Sequence, residues 1–189
     1  MAEAQRKPAF EVYALTGAYL HGNVSVAIEW KPHVGAGALA PLGTKWGALL
    51  DVTTSALEGY WNPGGMPGAA GLKSNSSQER RVAFTPAIVR LWRRHHFSIY
   101  AGAGIGAEHA WQRSRTRPVI GLDSHGNPIL GGSFVDTNSS KTEAMLVLRL
   151  GTLISLSPRV VLRAGFSVFP RYADETASKS FEFGIGYRF

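Results

Sequence analysis

An all-β chain is expected: an eight-stranded antiparallel up-and-down transmembrane β-barrel with short periplasmic turns and long extracellular loops. Eight segments alternate large apolar residues with small or charged ones. Most reach the roughly 9–11 residues that a tilted strand needs to cross a bilayer. The connections between them alternate between short and long, and aromatic residues gather at segment ends, leaving the middles aliphatic.

The alternation is clearest in the final run, KSFEFGIGYRF. Phe181, Phe183, Ile185, Tyr187 and Phe189 make one face, and Ser180, Glu182, Gly184, Gly186 and Arg188 make the other. Period two marks a strand whose two faces meet different surroundings. A soluble barrel would turn the apolar face inward. A membrane barrel turns it to lipid and lines its lumen with the small polar face. Composition bounds the choice. One domain suits 189 residues, charged residues are only 17%, and many of the 22 glycines sit at alternate positions, as a crowded lumen requires. There is no cysteine, so a disulfide framework and a thiolate metal site are excluded. No run of about 18 apolar residues occurs, so no transmembrane helix is expected.

Taken in order, residues 1–9 are a polar N-terminal segment and residues 10–189 the barrel domain. Residues 10–20 read as the first strand, and the Gly- and Ala-rich 31–40 as the second. After a tight turn at 41–44, residues 45–57 place Trp46, Ala48, Leu50 and Val52 opposite Gly47, Asp51, Thr53 and Ser55. Residues 58–79 are loop by composition. The fourth strand, 80–92, contains Pro86, which predicts a bulge and leaves the direction of Arg90 open. A polar turn at 93–96 leads to a fifth strand at 97–113, where Ile99, Ile105 and Ala107 oppose Tyr100, Gly104 and Glu108. The longest loop, 114–141, has room for a small hairpin. The sixth strand, 142–156, sets Leu146, Leu148 and Leu150 against Glu143 and Arg149. The seventh, 160–171, sets Leu162 and Phe166 against Arg163 and Ser167. Residues 172–178 form the last loop before the eighth strand, 179–189.

The short connections, 41–44, 93–96 and 157–159, are alternate ones, so in an up-and-down barrel they share one end. Trp46, Trp92, Phe97, Tyr187 and Phe189 lie beside them. Tyr19, Trp30, Tyr60, Trp61, Trp111, Phe169, Tyr172 and Phe181 lie beside the long loops. Two aromatic belts around an aliphatic band are the anchoring pattern of a membrane barrel.

With its strand count and its ending Gly186, Tyr187, Arg188 and Phe189, the chain resembles the small eight-stranded outer-membrane β-barrels of Gram-negative-type bacteria, the outer membrane protein A and X type, over nearly its whole length. The resemblance implies residence in the outer membrane after removal of a signal peptide. It also implies a non-enzymatic structural or surface role, with loops available for adhesion, and a monomer. Phe181, Phe183, Ile185, Tyr187 and Phe189 match the C-terminal signal read by the barrel-assembly machinery. Competing readings are a lipid-A-modifying enzyme, with His109 and a nearby Ser as its only candidates, a narrow channel, and a soluble lipocalin-like ligand carrier.

Two sets of charged residues are candidate sites. Asp51, Glu108, Glu143, Arg149, Arg163, Glu182 and Arg188 fall on the inward face. A barrel of eight strands has room for little besides its own side chains, so these charges must pair. An internal salt-bridge plug is expected, with a gated ion pathway as the alternative. The second set, Arg80, Arg81, Arg113, Arg115, Arg117, Lys141, Arg171 and Lys179, adjoins the long loops. It reads either as solvated loop charge or as a rim for the phosphates of lipopolysaccharide, which the guanidinium fork suits. A formal net charge of +7 does not point to nucleic acid, because the cations are dispersed and no nucleic-acid motif accompanies them. No cofactor, catalytic or metal site is expected; the His95-His96 pair reads as polar turn filling.

Overall fold

The computed structural model describes residues 9–20, 30–60, 76–94, 96–117, 119–126, 128–170 and 178–189. They form β1 (Glu11–Leu20), β2 (Trp30–Pro41), β3 (Trp46–Tyr60), β4 (Ser76–Arg93), β5 (Phe97–Thr116), β6 (Val119–Leu122), β7 (Pro128–Leu130), β8 (Val135–Ser155), β9 (Val160–Phe169) and β10 (Ser178–Arg188). Eight of these close into a barrel in the order β1-β10-β9-β8-β5-β4-β3-β2, and β6 and β7 pair as a separate hairpin. Neighbours in the ring are neighbours in the chain except where the hairpin intervenes and where β10 meets β1. That is up-and-down connectivity. Closure is antiparallel and unbroken from Glu11↔Arg188 to Leu20↔Lys179. It removes the unpaired sheet edge that lipid could not satisfy.

Two compact units divide the chain. The first takes residues up to 55 with 82–108 and 142–189; the second takes 56–81 and 109–141. In the first unit the period-two alternation has the orientation of a membrane barrel. Val12, Val34, Val52, Ile88, Leu146, Leu148 and Leu150 point outward, with Ile105 71% and Phe183 60% exposed. Soluble monomers seldom expose apolar surface on this scale, and a lipocalin-like barrel would have the faces reversed. Trp46, Trp92, Phe97, Tyr187 and Phe189 are outward and exposed at the short-turn end.

Tyr19 and Phe169 depart from the expected belt. Both are buried in the lumen, with ring centroids 5.9 Å apart. They have inward parity, which outweighs their position near a strand end. Trp111 and Phe181 are exposed; the side chains of Trp30, Tyr60, Trp61 and Tyr172 lie outside the described residues. On the side of β4 that faces β5 the bulge expected at Pro86 does not occur. Thr85 and Ala87 on either side are both buried, and the carbonyls of Phe84, Pro86 and Ile88 face Gly106, Gly104 and Gly102 in an unbroken two-residue step. Arg90 therefore points out, its guanidinium 5.5 Å from the Trp92 ring centroid.

In the second unit, strands replace much of the expected loop. β3 reaches Tyr60 and β4 begins at Ser76, so only part of 58–79 remains between them. β5 reaches Thr116 and β8 begins at Val135, within the expected 114–141 loop. The small hairpin is present there as β6 and β7, paired Val119↔Leu130, Gly121↔Ile129 and Leu122↔Pro128. Its turn is held by Asp123. The Asp123 carboxylate accepts from the His125 N–H at 2.8 Å, and its carbonyl accepts from the Gly126 N–H at 3.0 Å. Gly126, at φ 80°, supplies the left-handed residue the turn needs.

Candidate functional site

The candidate site is the lumen of the first unit, which holds a layer of paired charges between two apolar layers. The inward parity of β3, β8, β9 and β10 aims Asp51, Arg149, Arg163 and Glu182 at one another. The Arg163 guanidinium donates to Asp51 through both terminal nitrogens, at 2.7 and 2.6 Å, and to Glu182 at 3.0 Å. Its Nε donates to the Tyr100 hydroxyl at 3.1 Å. Arg149 pairs with Asp51, donates to the Thr85 hydroxyl and, at 3.1 Å, to the Thr85 carbonyl. Ser180 donates to the second oxygen of Glu182 at 3.1 Å. Asp51 is 0% and Arg163 2% exposed, so this is a desolvated cluster in which two carboxylates balance two guanidiniums. Burial at this depth is tolerable because each charge is both paired and hydrogen-bonded.

Glycine makes the room. A Cβ on Gly151 would meet the Tyr100 hydroxyl, and one on Gly165 would lie 2.6 Å from the same oxygen. The Gly-rich inward face is thus the space into which Tyr100 and the arginines fold. Towards the short-turn end the cluster is backed by Tyr13, Leu15, Leu39, Leu49, Val89, Leu91, Leu153 and Val161. Towards the other end lie Tyr19, Met145, Val147 and Phe169.

The remaining interior candidates separate from this cluster. Arg188 does not join it. It pairs instead with Glu11, at 2.6 Å, and donates to Ser155 at 3.2 Å, while the Tyr13 hydroxyl donates to the same Glu11. Glu108 is buried near the opposite end, its Oε2 3.5 Å from the Tyr19 hydroxyl. Glu143 is half-buried on the face that carries Met145 and Val147. Sequence reasoning missed Glu11, Tyr100, Thr85 and His33. Parity alone would have placed Glu11 inward, on the face of Tyr13 and Leu15, and the register sets it opposite Arg188. His33 is buried beside Gly17, and neither ring nitrogen has a hydrogen-bond partner among the described residues.

The basic candidates near the long loops occupy different settings. Arg113 and Arg115 are exposed and lie 3.1 and 3.6 Å from the Asp136 carboxylate. Arg115 and Arg117 each lie 4.6 Å from the Phe134 ring centroid. Arg80, Lys141 and Lys179 are exposed. Arg81 is not a free surface cation: it is 8% exposed and its Nε lies 2.6 Å from Glu79. Arg171 lies outside the described residues. The His109 ring packs edge-on against Trp111, centroids 4.2 Å apart. Among the described residues no group of three or more His, Cys, Asp or Glu is placed to hold a metal.

No protein-family model matches the sequence, and comparison with curated proteins gives no match. Solved structures do match. Ail, the attachment invasion locus protein of Yersinia pestis, aligns over 96% of this chain and 99% of its own at 12% identity and TM-score 0.64. The same protein in complex with the heparin analogue sucrose octasulfate aligns over 96% and 99% at 12% identity and TM-score 0.61. Neisserial surface protein A aligns over 95% of both chains at 17% identity and TM-score 0.52. This chain therefore has the fold of the small eight-stranded outer-membrane β-barrels.

Proposed function

We propose that the chain is an integral barrel of the bacterial outer membrane, delivered after removal of a signal peptide and working as a non-enzymatic monomer with a plugged lumen. One observation carries this reading: exposed aliphatic residues face outward around an inward cluster of Asp51, Arg149, Arg163 and Glu182. Such a molecule satisfies lipid on one side and its own charges on the other. Residues that neutralise and desolvate one another do not offer a substrate a reactive group.

Its working surface is then the second unit. Arg113, Arg115 and Arg117 present guanidinium groups along β5, stacked in part on Phe134, and Asp136 cancels only part of their charge. Together with Arg80 and Lys141 of the same unit they suit the phosphates of lipopolysaccharide. The sulfated sugar held by the similar Yersinia protein is likewise a clustered polyanion. Replacing Arg113, Arg115 and Arg117 together by Gln is expected to weaken lipopolysaccharide binding by on the order of tenfold. The heat-modifiable gel shift of the folded barrel should be unchanged. Equal binding by a variant that still shifts would refute the rim.

A further inference from the structure

At the short-turn end a second basic surface is present, unrelated to the rim. Lys45 ends the turn between β2 and β3, Arg93 and Arg94 open the one between β4 and β5, and Arg159 ends the one between β8 and β9; all four are exposed. Backbone hydrogen bonds tie these turns into one ring. The Leu91 N–H donates to the Lys45 carbonyl at 2.7 Å, Ser155 to His96 at 2.8 Å, and Arg188 to Arg159 at 2.8 Å. Among the described residues the only carboxylate side chain at this end is Glu11, which is buried and held by Arg188. None of the four forms a salt bridge among the described residues, although Arg93 is also drawn electrostatically to Glu11.

Aromatic placement says what anion they meet. Lys45 precedes outward Trp46, Arg93 follows outward Trp92, and Arg159 is bonded to the segment carrying outward Tyr187 and Phe189. Outward Trp and Tyr sit at headgroup depth, so charges one residue beyond them lie among the headgroups. On the same outward face the Arg90 guanidinium lies 5.5 Å from the Trp92 ring centroid.

We propose that this ring docks the anionic phospholipid headgroups of the leaflet that the short turns face, with Lys45, Arg93, Arg94 and Arg159 as the phosphate-binding side chains. The proposal rests on the bilayer-spanning reading above. To test it, the chain is folded into micelles holding equal phosphatidylglycerol and phosphatidylcholine, and the lipid retained is read by native mass spectrometry. Wild type is expected to retain phosphatidylglycerol over phosphatidylcholine by on the order of tenfold, as several cations at a membrane surface dictate. In Lys45→Gln, Arg93→Gln, Arg94→Gln, Arg159→Gln the preference should fall close to unity with the gel shift intact. The Arg113→Gln, Arg115→Gln, Arg117→Gln variant should keep it. Equal retention of the two lipids by folded wild type would overturn the proposal, as would a quadruple variant with undiminished preference. Loss of the preference on adding inorganic phosphate would assign the site to free phosphate and also overturn it. A wild-type chain that gave no gel shift in these micelles would instead defeat the bilayer-spanning reading itself.

Discussion

Asp51 receives two guanidiniums and is wholly shielded from solvent, so it ties the two arginines of the lumen together. Removing one member of a buried ionic cluster strands the others, which outweighs the attraction lost. Asp51→Asn is therefore expected to lower the unfolding free energy by about 3–5 kcal/mol, read by urea titration of the folded barrel in micelles. Adding Arg149→Met to that background should cost less than the sum of the two single changes, because the second removes a charge the first left unpaired. Additive losses would mean that the cluster is not coupled. Sequence parity was enough to put Asp51, Arg149, Arg163 and Glu182 on one side of the sheet. It could not say that Asp51 meets Arg163 while Arg188 meets Glu11. Those partners depend on the stagger of strands distant in sequence, which no local pattern encodes. The inward apolar residues were hidden for another reason. Around Leu39, Leu49 and Val147 the outward neighbours are apolar too, so alternation leaves no contrast to read.

β8 shows where a strand stops being legible. Its residues 135–142 are exposed on both faces, and alternate burial sets in only at Met145. A periodic pattern arises only when the two faces see different media. The polar half, VDTNSSKT, has the composition of a loop although it is hydrogen-bonded strand. Chain length gives the same division: β5 and β8 have 20 and 21 residues, about twice what a tilted membrane strand requires. β10 is the opposite case, legible from end to end because Phe181, Phe183, Ile185 and Tyr187 face outward against Ser180 and Glu182. In the closed barrel its backbone is occupied by β1 on one side and β9 on the other. An assembly factor that reads this strand must do so before closure. Phe189, 74% exposed, contributes little to interior packing. Phe189→Ser is accordingly expected to refold in detergent as wild type does, yet to reach the outer membrane of cells several-fold less. Quantifying the heat-shifted band in membrane fractions checks this, and wild-type levels there would rule out a reading role for Phe189.

For the molecule as a whole, charge placement links barrel closure to permeability. Within the lumen Asp51 and Glu182 offset Arg149 and Arg163, and Glu11 offsets Arg188. The formal surplus of +7 consequently resides mainly outside these pairs, including the short-turn ring and the arginines of β5. An ion crossing the lumen would have to displace a guanidinium from its carboxylate in a space that Tyr100, Thr85 and the flanking apolar layers already fill. Such a pair is not opened by a modest membrane voltage: about 2.3 kcal/mol is gained per charge moved through 100 mV, less than the 3–5 kcal/mol that breaking a buried pair costs. Refolded wild-type protein, verified by its gel shift, should therefore give no conductance steps in a planar bilayer at 100 mV. Reproducible single-channel steps from that preparation would show a path past Asp51 and Arg163, and the plugged-lumen assignment would then give way to a channel.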